Sequence, residues 1–220
     1  MLFRSTATLT ALKVQLSTLD DLTAIDASLL LSRRIELVAR ANFITAFEPA
    51  GVRFRIHGDY HLGQTLRTVV SDPVPGLGSG NAVSGDFVLL DFEGEPARSL
   101  AERRQKQSPL KDVAGMIRSF SYAAFTGLNR YIASQQEGAS VNDAGALGAW
   151  ATFWQNAASS QFLRAYREAI SVNPSILPPP EQSRSLLEAY LLEKALYETL
   201  YELNNRPVWL RIPLAGILSL

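Results

Sequence analysis

The sequence predicts an α+β fold that is mostly helical, with one small β-hairpin. Three observations carry this. Helical periodicity runs from residue 110 almost to residue 220, an earlier helical pattern spans about 20–47, and two β-rich runs, TLRTVV (65–70) and DFVLLDF (86–92), stand between them. At 220 residues the chain is long enough to bury a substantial core, as one large domain or two small ones. The 21 Lys and Arg balance the 21 Asp and Glu, so bulk electrostatics point to neither nucleic acid nor a membrane surface. The absence of cysteine excludes a disulfide framework, a thiolate nucleophile and a cysteine-type zinc site.

Taken in order, the first 17 residues are basic, rich in Ser and Thr and free of acids, a weak likeness to a transit peptide, and an irregular start is expected there. No run reaches the roughly 18 apolar residues of a membrane span, so a soluble, cytoplasmic protein is expected. In 20–47, Leu22, Ile25, Leu29, Leu37, Ala41 and Ile44 form the expected buried row of one helix, with Asp20 or Asp21 as its cap and Pro49 and Gly51 ending it. VRFRI (52–56) alternates apolar and basic residues and reads as a half-buried strand delivering His57.

The 71–85 segment is a Pro, Gly and Ser surface loop. Its Gly76, Gly78 and Gly80 lack the Lys-Ser or Lys-Thr and the following helix of a phosphate loop. Ser108 caps a helix over about 110–133 with Pro109 at its first position. A second helix, about 145–170, carries Trp150, Phe153, Trp154, Ala157, Phe162 and Tyr166, which are taken as core. The prolines at 178–180 interrupt the helical pattern, and a last helix over about 184–203 follows. Leu192, Leu196, Leu200 and Leu203 form its core row. Tyr190, Lys194, Tyr197, Tyr201 and Asn204 form a second face, near which the tail brings Asn205, Arg206 and Trp209.

The candidate chemistry lies in HGDYHLGQ (57–64) and LLDFEGEP (89–96), each of which ends an apolar run in acidic and amide groups. Phosphoryl transfer from ATP needs a carboxylate to accept the hydroxyl proton, together with an amide or carboxylate and a second carboxylate to hold metal. A kinase catalytic loop spaces its Asp and Asn five residues apart, with a metal-binding Asp in a later Asp-Phe-Gly turn. Asp59 and Gln64 have that spacing, and Asp91-Phe92-Glu93-Gly94 supplies a similar turn.

The runs RIHGDYHLGQ, VLLDFEGEPARSLAERRQKQSPLKDVAGMIRSFSYAA and YLLEKALYETLYELNNRPVWLRIPLAGIL resemble the C-terminal kinase lobe of maltokinases, as in trehalose synthase–maltokinase fusions, over about residues 53–218. The resemblance implies a protein-kinase-like (aminoglycoside phosphotransferase-like) C-lobe over 51–220, preceded by a leading segment and helix in 1–50. It also implies transfer of the γ-phosphate of ATP to maltose, giving maltose 1-phosphate. Residue by residue, it makes Asp59 the catalytic base, Gln64 and Asp91 the Mg²⁺ ligands, and Tyr197, Glu198, Tyr201, Asn205 and Arg206 the maltose-facing set. Glu93 would orient the metal site or the sugar, His57 and His61 would hold the loop by hydrogen bonds, and Asp112 would brace it.

Before His57 the sequence offers one helix and one strand, without the nucleotide-covering strands and phosphate-pairing Lys of an N-terminal lobe. The expectation is therefore a truncated or split kinase, with a separate N-terminal lobe or trehalose synthase as partner. Two alternatives stand beside it. One is a non-catalytic sugar-binding or assembly module, and the other a metallohydrolase using His57, Asp59, His61 and Asp91.

Overall fold

A computed structural model of the chain describes the backbone of residues 2–46, 51–68, 85–96, 98–134 and 141–220. Side chains are described for the same residues except 2–5, 41–46 and 141–144. Gly76, Gly78, Gly80 and most of the 71–85 loop lie outside the described residues, as do Pro49, Ala41 and Ile44 of the predicted first helix where its row and end are concerned.

The chain opens with a helix, α1 (Leu2–Gln15), where an irregular start was expected. Leu9 and Leu12 are buried on its inner side, and the Thr8 hydroxyl donates to the carbonyl of Leu196 at 3.2 Å. Threonines 6, 8 and 10 lower helix propensity, but packing of one apolar face outweighs it. The helix predicted over 20–47 is two helices, α2 (Asp21–Ser32) and α3 (Arg34–Ala46), with a break at Arg33. Asp20 caps α2 by accepting from the Thr23 amide at 3.1 Å. The break turns the two helices onto different neighbours, α2 onto α8 (Arg211–Leu218) and α3 onto α1 and α7 (Pro180–Asn205). It also corrects the buried row, since Leu22, Ile25 and Leu29 are exposed while Thr23, Ala27 and Leu30 face inward.

VRFRI is not a strand. Phe54 exchanges two backbone hydrogen bonds with Gln107, and Val52 donates to Ile176, so loop segments satisfy its backbone where, among the described residues, no strand lies beside it. The hairpin consists of β1 (Thr65–Arg67) and β2 (Phe87–Leu89), antiparallel, with Leu66 opposite Val88. A short α4 (Leu100–Arg103) begins at a capping box in which Ser99 and Glu102 bond reciprocally.

Helix α5 (Leu110–Ser134) packs on α6 (Val141–Ile170) and α7. Ser108 Oγ accepts from the Leu110 amide at 3.4 Å. Helix α7 starts at Pro180, which needs no amide partner in a first turn, and packs on α1, α3, α5 and α8. Its Leu192, Leu196 and Leu203 join Leu12, Leu30 and Leu214 in the larger core. Leu186 joins Leu110, Val113 and Ile117 in a smaller one, against which Phe162 and Tyr166 of α6 pack.

The rest of the α6 aromatic row departs from expectation. Trp150 and Phe153 are 67% and 63% exposed, and Trp154, half-exposed, makes an edge contact with Phe120 at 6.4 Å between ring centroids. Among the described residues no helix is long and apolar enough to cross a membrane.

Candidate active site

The segment from His57 to Gln64 is held to α5 by a carboxylate. Asp112, in the first turn of α5, accepts from the His57 amide at 2.7 Å and the Gly58 amide at 2.9 Å. Burial pushes the Asp112 carboxyl up, against the lowering effect of those two amides. Two glycines permit the close approach. Gly58 has φ of +84°, and a Cβ on Gly115 would stand 2.6 Å from the Tyr60 carbonyl oxygen.

His57 is buried and its ring joins the loop to the end of the hairpin. Nε2 donates to the Leu90 carbonyl at 2.7 Å, Nδ1 accepts from the Asp59 amide at 3.4 Å, and the ring lies 4.9 Å from that of Phe92. With both nitrogens engaged, His57 has no lone pair for a metal. Among the described residues no group of three or more His, Asp or Glu side chains is placed to hold one, which removes the geometric basis of the metallohydrolase alternative.

The hairpin brings Gln64 beside Asp91. Leu90 donates its amide to the Gln64 carbonyl at 2.9 Å, and Gln64 Nε2 donates to Asp91 Oδ2 at 3.0 Å. Asp91 adopts φ of +58° and Gly94 of +80°, which turn the chain sharply after β2. The amide carbonyl of Gln64 and the second carboxylate oxygen of Asp91 remain as hard oxygen donors. That donor set suits Mg²⁺, which keeps few protein ligands and completes its shell with water and phosphate oxygens. Glu93 is exposed, and its carbonyl accepts from Arg103 at 3.5 Å.

Asp59 faces α7. Lys194 Nζ lies 3.5 Å from its Oδ1 and His61 Nε2 3.8 Å from its Oδ2, while His61 Nδ1 accepts from the Gly63 amide at 3.0 Å. The same cleft is lined by Glu95, Arg98, Glu193 and Tyr197. Burial, then contact with the Glu95 carboxylate and the Glu95 and Asp59 charges, push the Tyr197 hydroxyl up. From the cleft a ladder of rings and cations follows α7. Lys194 lies over Tyr197 (5.2 Å), Tyr197 stacks near Tyr201 (6.5 Å), and Arg206 stands over both Tyr201 (5.3 Å) and Trp209 (4.4 Å).

The maltose-facing set expected from sequence does not form one face. Glu198 is 8% exposed and receives the Arg118 guanidinium at 2.8 Å, because a helix turns it toward α5 when Tyr197 and Tyr201 face outward. Asn205 donates to the Tyr201 carbonyl, and Arg206 is tied to buried Glu202, which also accepts from the Tyr122 hydroxyl at 3.0 Å. Sequence reasoning assigned no role to Glu95, Arg98, Arg118 or Glu202. The available signals were Arg118 alone in an otherwise apolar stretch and the three-residue spacing of Glu95 and Arg98, which pair at 2.6 Å.

No family model matches the chain. A glucosamine kinase of Mycolicibacterium smegmatis (strain ATCC 700084 / mc(2)155) is 28% identical over 202 residues, which is 90% of this chain and 42% of that protein. Another, of Streptacidiphilus jiangxiensis, is 25% identical over 163 residues, 72% of this chain and 29% of that protein. The chain is homologous to glucosamine kinases.

Solved structures agree on the fold. Glucosamine kinase in crystal form B superposes with a TM-score of 0.64 at 18% identity, over 98% of this chain and 44% of that one. The same enzyme type in complex with glucosamine, ADP and inorganic phosphate gives 0.64 at 19% identity, over 98% and 43%. The chain thus spans less than half the length of the relatives it matches. The similarity is to glucosamine kinases and does not specifically support maltokinase.

Proposed function

We propose that this chain is the phosphotransferase lobe of an ATP-dependent sugar kinase, with Asp59 as catalytic base and Gln64 and Asp91 as metal ligands. The observation that carries the reading is the tie between the two sequence motifs. His57 and the Gln64–Asp91 hydrogen bond fix the loop bearing the base against the turn bearing the metal-ligating carboxylate.

In the proposed reaction Asp59 accepts the proton of the acceptor hydroxyl as its oxygen bonds to the γ-phosphorus, and the bond from that phosphorus to the bridging oxygen of ADP breaks. Bound at Gln64 and Asp91, Mg²⁺ would neutralise negative charge on the phosphate oxygens. Asp112 holds the loop amides and so fixes where the Asp59 carboxylate stands. Because the chain spans under half of its relatives' length, the strands covering the nucleotide and the Lys pairing with its phosphates are assigned to a further lobe. That lobe would be carried in the same protein or supplied by a partner such as a trehalose synthase fusion.

The acceptor favoured by the sequence motifs is maltose, phosphorylated to maltose 1-phosphate, with the Tyr197–Tyr201–Arg206 ladder as sugar platform. A second reading, glucosamine, is favoured by the names of the relatives and by the sugar bound in one of their structures. The test is sugar-dependent ADP release by this chain together with a nucleotide-binding lobe, with each sugar in turn and the product identified by NMR. Asp59→Asn is expected to lower turnover by about 10²- to 10⁴-fold. Unchanged turnover in that variant, or ADP release independent of any sugar, would refute the assignment.

A further inference from the structure

Within the cleft beside Asp59, Glu95 is a carboxylate with one oxygen bound and one oxygen idle. Oε2 accepts from Arg98 Nε at 2.6 Å, and the outer nitrogen of Arg98 reaches Glu193 at 3.8 Å. Oε1 is buried without a hydrogen-bond partner, and the residue is only 6% exposed. The Tyr197 hydroxyl interacts with the Glu95 carboxylate, yet no donor of the chain meets hydrogen-bond distance and angle at Oε1. Lys194, the other nearby cation, is placed on Asp59 and over the Tyr197 ring. A buried acceptor left unmade costs about 1–3 kcal/mol, so a carboxylate kept in this state calls for a donor from outside the chain.

The surroundings say what kind of donor. The cleft is lined by the carboxylates of Glu95 and Glu193 and by Tyr190 and Tyr197, and it contains the proposed base. Aromatic faces with planar hydrogen-bonding groups suit the alternating apolar faces and hydroxyl edges of a hexose. The geometry points to Glu95 as a sugar-binding residue, its Oε1 accepting a hydrogen bond from the acceptor sugar, either from a hydroxyl or from the ammonium of an amino sugar. This deepens the sugar-kinase reading and rests on it. It places one hydroxyl or ammonium edge of the acceptor at the cleft between α7 and the catalytic loop, whose enclosed space of about 30 Å³ does not take the whole ring, with the Tyr201–Trp209 ladder leading away from that point.

The experiment is calorimetric titration of the chain with glucose, glucosamine and maltose, and with the monodeoxyglucoses. It compares the wild type with Glu95→Gln, which keeps the shape and removes the charge, and Glu95→Asp, which withdraws it. Thermal melting shows that each variant is folded. Loss of a charge-assisted hydrogen bond predicts about 10- to 100-fold weaker sugar binding in Glu95→Gln. A larger loss for glucosamine than for glucose assigns the ammonium, and equal losses assign a hydroxyl.

On the wild type alone, one monodeoxyglucose should bind at least about 10-fold more weakly than glucose, and that penalty should vanish in a folded Glu95 variant. If the wild type binds sugar and Glu95→Gln binds it equally well, Oε1 serves only a water molecule, and this inference falls while the sugar-kinase reading stands. If the wild type binds none of these sugars, both fall together.

Discussion

Helices α6 and α7 both carry aromatic residues at helical spacing, yet they use them in opposite ways. On α7 each outward ring is paired with a cation or a carboxylate, as Tyr197 is with Lys194 and Tyr201 with Arg206, and the positions between them are anchored inward by Glu198 and Glu202. On α6 the rings of Trp150 and Phe153 meet chiefly each other, at 5.7 Å, and lie mostly in solvent. Spacing puts residues on one face of a helix, but the neighbouring element decides whether that face is covered. Helix α7 has α1, α3, α5 and α8 around it, whereas α6 packs mainly on α5.

The largest effect that tests this contrast comes from the α5–α7 ion pair. Glu198→Ala leaves the Arg118 guanidinium buried without its carboxylate, and a Cβ on Gly216 would overlap that same guanidinium, so the site has little room to relax. The variant should lose about 3–5 kcal/mol of stability, read as a lower urea midpoint at unchanged slope. A loss no greater than that of an α6 surface variant would break the comparison.

Gly115→Ala comes next. Its methyl would press on the Tyr60 carbonyl, so α5 and the loop of residues 57–64 must separate, at a cost of roughly 1–3 kcal/mol. Sugar-dependent turnover should fall beyond what the remaining folded fraction explains. Full activity in a folded variant would show that the loop does not depend on this approach.

A smaller effect is expected in acid. Burial acts to raise the Glu95 carboxyl, but Lys194, Arg98 and Tyr197 together hold it below the usual carboxylate range. The unfolded chain therefore takes up this proton first as pH falls. The contribution of Glu95 is present above its unfolded value of about 4.3 and is lost as pH drops through its lower folded value. Melting temperatures of the wild type should thus decline more steeply below pH of about 4 than those of Glu95→Gln, and parallel profiles would contradict the pairing. The smallest effect is assigned to Trp150→Ala, which should stay within about 0.5 kcal/mol of the wild type. A loss above about 2 kcal/mol would show that the ring is covered and would erase the distinction between the two helices.

Much of the local structure was readable from the chain. Asp20 as a cap, Pro109 before α5, three of the four leucines of the row Leu192, Leu196, Leu200 and Leu203 (Leu200 is only half-buried), and the pairing of two short strands all follow from spacing and from the preferences of single residues. The readings that failed needed a partner that the sequence does not display. VRFRI alternates like a strand but has only Gln107 and Ile176 to bond with, and Leu22, Ile25 and Leu29 recur correctly yet lie on the exposed side of α2. In the candidate site, the positions of Asp59, Gln64 and Asp91 were visible as motifs. Glu95 was not, because a carboxylate two residues after another in a turn has no periodicity to mark which one points inward.

By itself, the sequence determined the chemical inventory and its order, with a carboxylate and an amide five residues apart and a second carboxylate in a later turn, because motif spacing is a property of the chain alone. Only the tertiary structure decided which groups share a cleft. The His57 ring spans from the loop to Leu90, Lys194 arrives at Asp59 from a helix 135 residues further on, and Glu198 turns away to Arg118. Those contacts depend on where α7 lies against α5 and the loop, and that placement is set by packing across the core.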